Sequence, residues 1–469
     1  MKKLRKVKIM KQPDIGNVEI NSFGYKQELN RTLGLRDLTI YGIIFMAPLA
    51  PFQVYAMVAQ QSFGMSALVY IVGVLAMLFT AFSYRSMASE FPIAGSVFSY
   101  IQRSMNPHVG FVTGWLLLAD YTLIPALLYS MCGVWMTGIF PTIPATVWAI
   151  LFIIINTYIN IRGITVTAKA NFIMFIIEMA LIAALLVIAI KFVFISGLGT
   201  GGFTLDPFYQ ADNFTWELIP AAATIAVLGF IGFDGISTLS EEAINPRKNI
   251  GKATILSILF IGGFFILQAY IAYSIYPNYM NLDPEMGYFE IVREAGGQAF
   301  YIICILVNVF AIGGAVNLSC QAASSRVLFS MSRDDLLPFS SIFKKVHPKY
   351  QTPVNATYLS GIICVVSVLT LSIQTVIQFV NFGALTSFMM LNLGVIYYFY
   401  IKKKERGLRA FILYLVMPFC GFGIIAFVWS GFDNLTFIVG FSWLLLGVII
   451  GAIKSKGYKE IPPALKGLD

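Results

Sequence analysis

The chain has 469 residues, 58% of them hydrophobic and 12% charged, with a net charge of +9. Soluble domains carry about 25% charged residues, and a soluble chain of this length would need several domains, each with a polar skin, so the composition excludes that class. The positive balance is not a nucleic-acid signature either, because the basic residues avoid the apolar blocks and gather at one set of their ends.

Residues 1–37 are basic and polar, with no apolar core before Leu38. They read as a cytoplasmic tail rather than a signal peptide, so the first spanning helix serves as its own insertion signal. Beyond them, apolar blocks near the ~20 residues needed to cross a bilayer predict about twelve spanning helices. These cover 38–60, 66–89, 97–136, 146–162, 166–190, 216–240, 252–276, 298–326, 354–373, 376–401, 409–430 and 434–453. The third starts with an interfacial turn that runs into the span. Two connections are longer than the rest: 191–215, glycine-rich with Asp206 and Asp212, and 277–297, where 284–293 reads as a surface helix. Residues 454–469 form a second cytoplasmic tail. The predicted fold class is an all-α polytopic membrane protein, with membrane lipid as its surroundings and nucleic acid excluded as a partner.

Lysine and arginine collect on the cytoplasmic side of membrane proteins. Of the 32 in this chain, all but Lys191 and Arg293 fall in the N-tail, the even-numbered connections or the C-tail. That distribution predicts an even number of spans and both termini in the cytoplasm.

Two spans differ from the others. The first is interrupted by prolines in Met46-Ala47-Pro48-Leu49-Ala50-Pro51, the sixth by glycines in Gly229-Phe230-Ile231-Gly232-Phe233-Asp234-Gly235. Proline removes an amide and clashes with the preceding turn, and clustered glycine weakens a helix. Single kinks are common in membrane helices. Two breaks five helices apart point instead to a transporter binding site between inverted repeats. Helices one to five and six to ten, over 38–401, would form the repeats, and 402–453 would add two helices.

Carboxylates inside a membrane cost about 2.5–3.5 kcal/mol each at a helix centre on insertion scales, so they are functional candidates. Asp120 lies in the third helix beside Tyr121, and Asp234 lies in the break of the sixth. Both can neutralise ammonium groups, with Tyr121, Phe230 and Phe233 as cation–π walls. Asp120 could instead tie its helix to a neighbour, and Asp234 could cap the second half-helix. Cys132, Cys304, Cys320, Cys364 and Cys420 sit in apolar blocks without CxxC spacing and read as small buried hydrophobes. His108 and His347 stand at block edges. No metal-ligand cluster and no cofactor are expected.

Three stretches carry a family resemblance. One is Phe91-Pro92-Ile93-Ala94-Gly95-Ser96, leading through Asn106-Pro107-His108-Val109-Gly110-Phe111 to Gly114-Trp115 and Asp120-Tyr121. The second is Gly232-Phe233-Asp234, running to Glu241-Glu242-Ala243-Ile244-Asn245-Pro246-Arg247. The third is Ser325-Arg326-Val327-Leu328 with Met331-Ser332-Arg333-Asp334-Asp335-Leu336-Leu337-Pro338 and Pro353. With these, the chain resembles the amino acid–polyamine–organocation superfamily of secondary transporters over nearly its whole length. Within it, Ser104–Phe111, Thr238-Leu239-Ser240-Glu241-Glu242 and Asn381-Phe382-Gly383-Ala384-Leu385 look most like bacterial putrescine importers. The resemblance implies a leucine-transporter type of fold with five-plus-five inverted repeats and two added helices. It also implies alternating access, a bacterial plasma membrane and a site at mid-membrane.

Amino-acid carriers of that superfamily usually have a Gly-X-Gly break in helix one, whose bare amides bind the substrate carboxylate. Here the stretch is Met46-Ala47-Pro48. Pro48 has no N–H, and Met46 and Ala47 bring Cβ atoms to the place where backbone should approach closely. Glu178 lies on helix five, which by the resemblance lines the place where sodium-coupled relatives hold a cation and some proton-coupled relatives place a lysine. A glutamate departs from that pattern. Expected burial among Phe175, Ile176, Ile177 and Met179 makes it a proton-coupling candidate, with H+ as the coupling ion and a structural packing role as the alternative. Glu241 and Glu242 are gating candidates at the cytoplasmic end of helix six, and Asn381 of helix ten is a pathway candidate. The expected function is import of a small cationic amine such as putrescine by a secondary transporter. An amino acid permease or exchanger of the same fold is the alternative. A membrane enzyme is disfavoured because no nucleophile or metal constellation is present in the sequence.

Overall fold

The computed structural model describes residues 31–93, 96–163, 168–333, 339–350 and 352–459. Most of the N-tail, the end of the C-tail, Ala94-Gly95 and 334–338 of the family motifs lie outside the described residues.

The first span is two half-helices, α1 (Leu35–Phe45) and α2 (Pro51–Gln61). Then come α3 (Ser66–Glu90), α4 (Ser96–Ser104), α5 (Pro107–Thr137), α6 (Ala145–Ile161) and α7 (Ala168–Ile190). The sixth span is split into α8 (Leu218–Ala226), a 3-10 turn Val227–Phe230, and α9 (Gly235–Thr238). After it follow α10 (Pro246–Ile275), α11 (Gly287–Asn308), α12 (Asn317–Arg333), α13 (Ser340–Phe343), α14 (Val354–Thr370) and α15 (Ile373–Val395). The last are α16 (Leu408–Phe411), α17 (Met417–Trp429) and α18 (Asn434–Lys454). Among the described residues, nine helical stretches are long and apolar enough to cross a membrane; α6 and α14 are shorter apolar helices. With the broken first span, these account for the twelve expected crossings.

Local chemistry explains where the boundaries depart from the expected ones. The stretch 97–136 is two helices because Asn106 caps α5, its side chain accepting from the His108 amide at 2.8 Å, with Pro107 in the first turn. The seventh span starts at Pro246 rather than 252, directly after Asn245 in a left-handed conformation (φ 49°). The expected surface helix at 284–293 begins at Gly287 and turns at Gly297 (φ 76°, ψ 178°) into the eighth span. That span then carries a π-helical segment, Val309–Val316, which hydropathy cannot distinguish from α-helix.

α3 and α10 pack closely at the centre, where Gly251 and Gly262 of α10 lie against Arg85 and Val74 of α3. Such small-residue contacts let helix backbones approach where the hydrophobic effect gives little drive for association. α18 is held to α5 by a reciprocal pair. Trp115 and Trp443 stack at 4.6 Å, and each indole N–H donates to the other's carbonyl, at 2.9 and 3.0 Å. α7, α17 and α18 expose large apolar side chains outward, as in Ile176, Val187, Phe419 and Leu445, and therefore form the periphery.

Candidate functional site

The two broken spans lie side by side. In the first, Ala47 takes a left-handed conformation (φ 52°) that ends α1. The Met46 amide donates to Gly42 O and the Ala47 amide to Ile44 O, both at 3.1 Å. Pro48 has no amide, and its carbonyl accepts from Gln268 of α10 at 2.9 Å. The stretch 46–48 therefore presents no free donor. In the second break, Ile231 is extended and Gly232 has φ 114°. A Cβ on Gly232 would stand 2.7 Å from the Phe45 ring and 3.0 Å from the Phe45 carbonyl oxygen, so glycine is what allows this break to close against the end of α1.

Between the breaks, α5 and the eighth span lies a cavity of about 70 Å³. One water needs ~10–15 Å³ of such space, so there is room for a small solute. The first span contributes Phe45, Met46, Ala47, Ala50 and Gln53. α5 contributes Asp120, Tyr121, Ile124, Leu127 and Leu128. The sixth span contributes Leu228, Gly229, Ile231, Gly232 and Asp234, and the eighth Ile312, Val316, Cys320 and Ala323. Among the described residues the lining holds two carboxylates and no basic side chain.

The carboxylates sit differently. Asp234 is buried and accepts from the Ser96 hydroxyl at 3.2 Å; Ser96 opens α4 in a left-handed conformation (φ 56°). Asp234 stands at the N-cap position of α9, with no side-chain bond to the α9 amides at full hydrogen-bond geometry. Asp120 is 5% exposed, and its Oδ1 has no hydrogen-bond partner among the described residues. Both line the same cavity, where like charges disfavour one another. A cation between them would relieve that repulsion and meet the open acceptor on Asp120.

Met46, Ala47, Asp120, Tyr121, Gly229, Gly232 and Asp234 thus meet at one cavity. Pro48, Phe230, Phe233 and Asn381 do not line it. Phe230 turns to Phe265 (5.1 Å, edge-on), and Phe233 to Tyr84 and Phe388 (5.3 and 5.1 Å). Both are fully buried, so of the expected aromatic walls Tyr121 alone faces the cavity. The lining takes 228, 229, 231, 232 and 234 and omits every third residue, because the three-residue period of the 3-10 turn sends 230 and 233 to the opposite face. Asn381 of α15 donates to the Thr224 carbonyl of α8 and serves as an inter-helix tie.

Glu178 is buried on α7 with no hydrogen bond to its carboxylate among the described residues, and it stands apart from the cavity. Its neighbours Ile176 and Ile177 are exposed outward, and α7 packs on α1, α10 and α11. The Glu242 carbonyl accepts from the Thr32 and Leu33 amides at 2.9 and 3.0 Å, and Leu33 pairs with Ala243 in a short parallel bridge. The segment following α9 is therefore tied through its backbone to the chain leading into α1. At the same end Glu90 of α3 pairs with Lys403 at 2.7 Å and accepts from Tyr398 at 3.1 Å, a contact not anticipated from the sequence. Cys320, expected as packing only, lines the cavity. Among the described residues no group of histidine, cysteine and carboxylate could hold a metal ion.

The amino acid permease family model matches residues 38–453. The chain is 30% identical over 439 residues to the low-affinity putrescine importer PlaP of Escherichia coli (strain K12), covering 93% of this chain and 96% of that protein. It is 27% identical to the branched-chain amino acid permease BcaP of Bacillus subtilis, covering 93% and 95% of the two chains. It is 26% identical to the methylthioribose transporter of the same organism, covering 92% and 94%. The chain belongs to the amino acid permease family, and it is an integral membrane transporter rather than an enzyme.

Proposed function

We propose that this protein imports a small cationic amine of the putrescine class by alternating access across a bacterial plasma membrane, with both termini in the cytoplasm. The carrying observation is the cavity between the two breaks, with Asp120 and Asp234 in its lining and no basic side chain among the described residues. The first break supports the same reading, because the Met46 and Ala47 amides are engaged within the chain and Pro48 has none. A substrate carboxylate placed there would meet negative charge and few donors, and an unpaired buried charge costs several kcal/mol. A protonated amine meets two acceptors. The similarity to a putrescine importer agrees, while the similarity to a branched-chain amino acid permease is what keeps the amino-acid alternative in the test.

Ornithine is putrescine with a carboxylate added, and so isolates the distinction. In competition against labelled putrescine uptake, putrescine is expected to outcompete ornithine by about a hundredfold or more, since each 1.4 kcal/mol is tenfold. Asp120→Asn and Asp234→Asn are each expected to weaken putrescine by about tenfold or more. Equal inhibition by ornithine, or stronger inhibition by neutral α-amino acids, would replace this reading with that of an amino acid permease.

A further inference from the structure

The cavity is polarised along its length. Two close approaches set its levels. The Gly232 Cβ position lies 3.0 Å from the Phe45 carbonyl oxygen, and the Gly229 Cβ position lies 3.1 Å from the Ala50 Cβ. Phe45, Gly232 and Asp234 therefore share one end, with Ala50 and Gly229 at the next level. Gln53 follows Ala50 by three residues on the same face of α2 and so lies at the opposite end from Asp234. On α5, Gly110 and Gly114 lie against Gln102 and Phe98 of α4, and Ser96 at the start of α4 bonds Asp234, so Asp120, further along α5, belongs to the Asp234 end. Leu127 and Leu128 lie about 10–12 Å further along at ~1.5 Å per residue. The wall between is apolar, built from Ile124, Leu228, Ile312 and Val316.

At the far end Gln53 supplies an amide. It is 6% exposed and lines the cavity, and its side chain makes no hydrogen bond among the described residues. On neighbouring helices the buried amides Gln268, Gln321 and Asn381 donate their NH2 groups, to the Pro48 carbonyl at 2.9 Å, to Thr157 at 2.7 Å and to the Thr224 carbonyl, whereas Gln53 neither donates nor accepts among the described residues. Buried polar groups are nearly always paired, and the open side of Gln53 is the cavity itself.

We propose that Gln53 is a specificity-determining residue whose side-chain carbonyl accepts the second amino group of a short diamine, while the first ammonium sits between Asp120 and Asp234. The assignment rests on the cationic-amine reading above. The apolar wall holds the methylene chain, and the two polar ends are served unequally, by carboxylates at one and a neutral amide at the other. A monoamine with the same carbon chain satisfies the acidic end and leaves Gln53 facing a methyl group. Gln53 thus sorts substrates by what stands at the end remote from the charge.

The test compares putrescine with butylamine, the same carbon chain with one amino group removed, as competitors of labelled putrescine on the purified full chain. The wild-type protein is expected to prefer putrescine. Gln53→Leu, similar in size without the carbonyl, is expected to weaken putrescine by about tenfold, the scale of one hydrogen bond to a charged group. Butylamine should shift far less, so that the preference ratio collapses. Gln53→Glu is expected to retain or raise the ratio, and Gln53→Met, unbranched, provides a second apolar variant should the leucine fail to accumulate. An unchanged ratio in the apolar variants, or equal weakening of both amines, overturns the assignment. Failure of wild-type protein to bind either amine, with neutral amino acids binding instead, overturns the cationic reading itself and is seen before any variant is made.

Discussion

At the scale of single residues, the three buried carboxylates among the described residues are held in three different ways, and each arrangement sets its own expectation. Asp234 has a hydroxyl donor in Ser96, Asp120 has an open oxygen on the cavity, and Glu178 has no polar partner among the described residues and no access to the cavity. An isolated intramembrane carboxylate away from the cavity is suited to carrying a proton rather than a substrate. Glu178→Gln is therefore expected to flatten the pH dependence of uptake while leaving the apparent substrate affinity within about threefold, less than the tenfold of a single charged contact. Uptake measured across pH at several substrate concentrations checks this, and an unchanged profile returns Glu178 to a packing role. Asp120, Tyr121 and Asp234 were legible in the sequence because polar residues are expensive in an apolar block. Gln53 left a weaker trace. It is an uncharged polar residue in the first span, at helical spacing from Met46 and Ala50, and it stands out only once the break has fixed which face looks inward. The placement of Phe230 and Phe233 was illegible, because side-chain direction within an unwound stretch follows the local dihedrals and not the helical period.

At the scale of elements, the breaks themselves were legible, because proline and clustered glycine have few other meanings inside a spanning block. What escaped was set by dihedral angles that many residues can adopt, as in the π segment Val309–Val316, whereas the turn at Gly297 falls at the expected start of the eighth span. The π segment matters for the cavity, since Ile312 within it and Val316 at its end both line the wall. Gly232 is where the two breaks depend most directly on one another. Its φ of 114° and the 2.7 Å from its Cβ position to the Phe45 ring leave no room for a side chain. Backbone strain of this kind costs about 1–3 kcal/mol, and the contact with Phe45 adds to it. Gly232→Ala is expected to lower uptake by about tenfold or more, because the breaks must separate at the acidic end of the cavity. The folded, membrane-inserted protein should still accumulate, since the strain is local. Uptake normalised to detergent-extracted monodisperse protein measures this, and wild-type uptake would show that the approach of Gly232 to Phe45 is not needed for transport.

At the scale of the whole molecule, charge is divided across the membrane in a way that bears on energetics. On the proposed orientation, the outer connections 191–215 and 277–297 carry Asp206, Asp212, Asp283, Glu285, Glu290 and Glu294 against Lys191 and Arg293, while the remaining basic residues lie on the inner side. A cation approaching from outside thus meets an acidic face, and an unlike-charged surface raises the local concentration of its counter-ion. The membrane potential acts in the same direction. Moving one elementary charge through 100 mV is worth about 2.3 kcal/mol, so a divalent amine gains about 4.6 kcal/mol on entering a cell with a negative interior. The charges of Asp120 and Asp234 themselves cancel over a full cycle, and that gain is offset only if one of them returns protonated with the empty carrier and a proton leaves the cell. The net charge moved per cycle therefore decides how far potential alone can concentrate the solute. For a divalent substrate and an empty carrier that returns without carrying a proton, uptake into proteoliposomes should rise steeply with an imposed inside-negative potential. It should fall toward equilibration when the potential is collapsed with pH held equal on both sides. A substrate carrying one charge should show about half the dependence, which ties the measurement to the solute rather than to the protein. Uptake indifferent to potential at constant pH would mean that an inward cation is balanced by an outward one, and the protein would then be an exchanger of the same fold rather than a net importer.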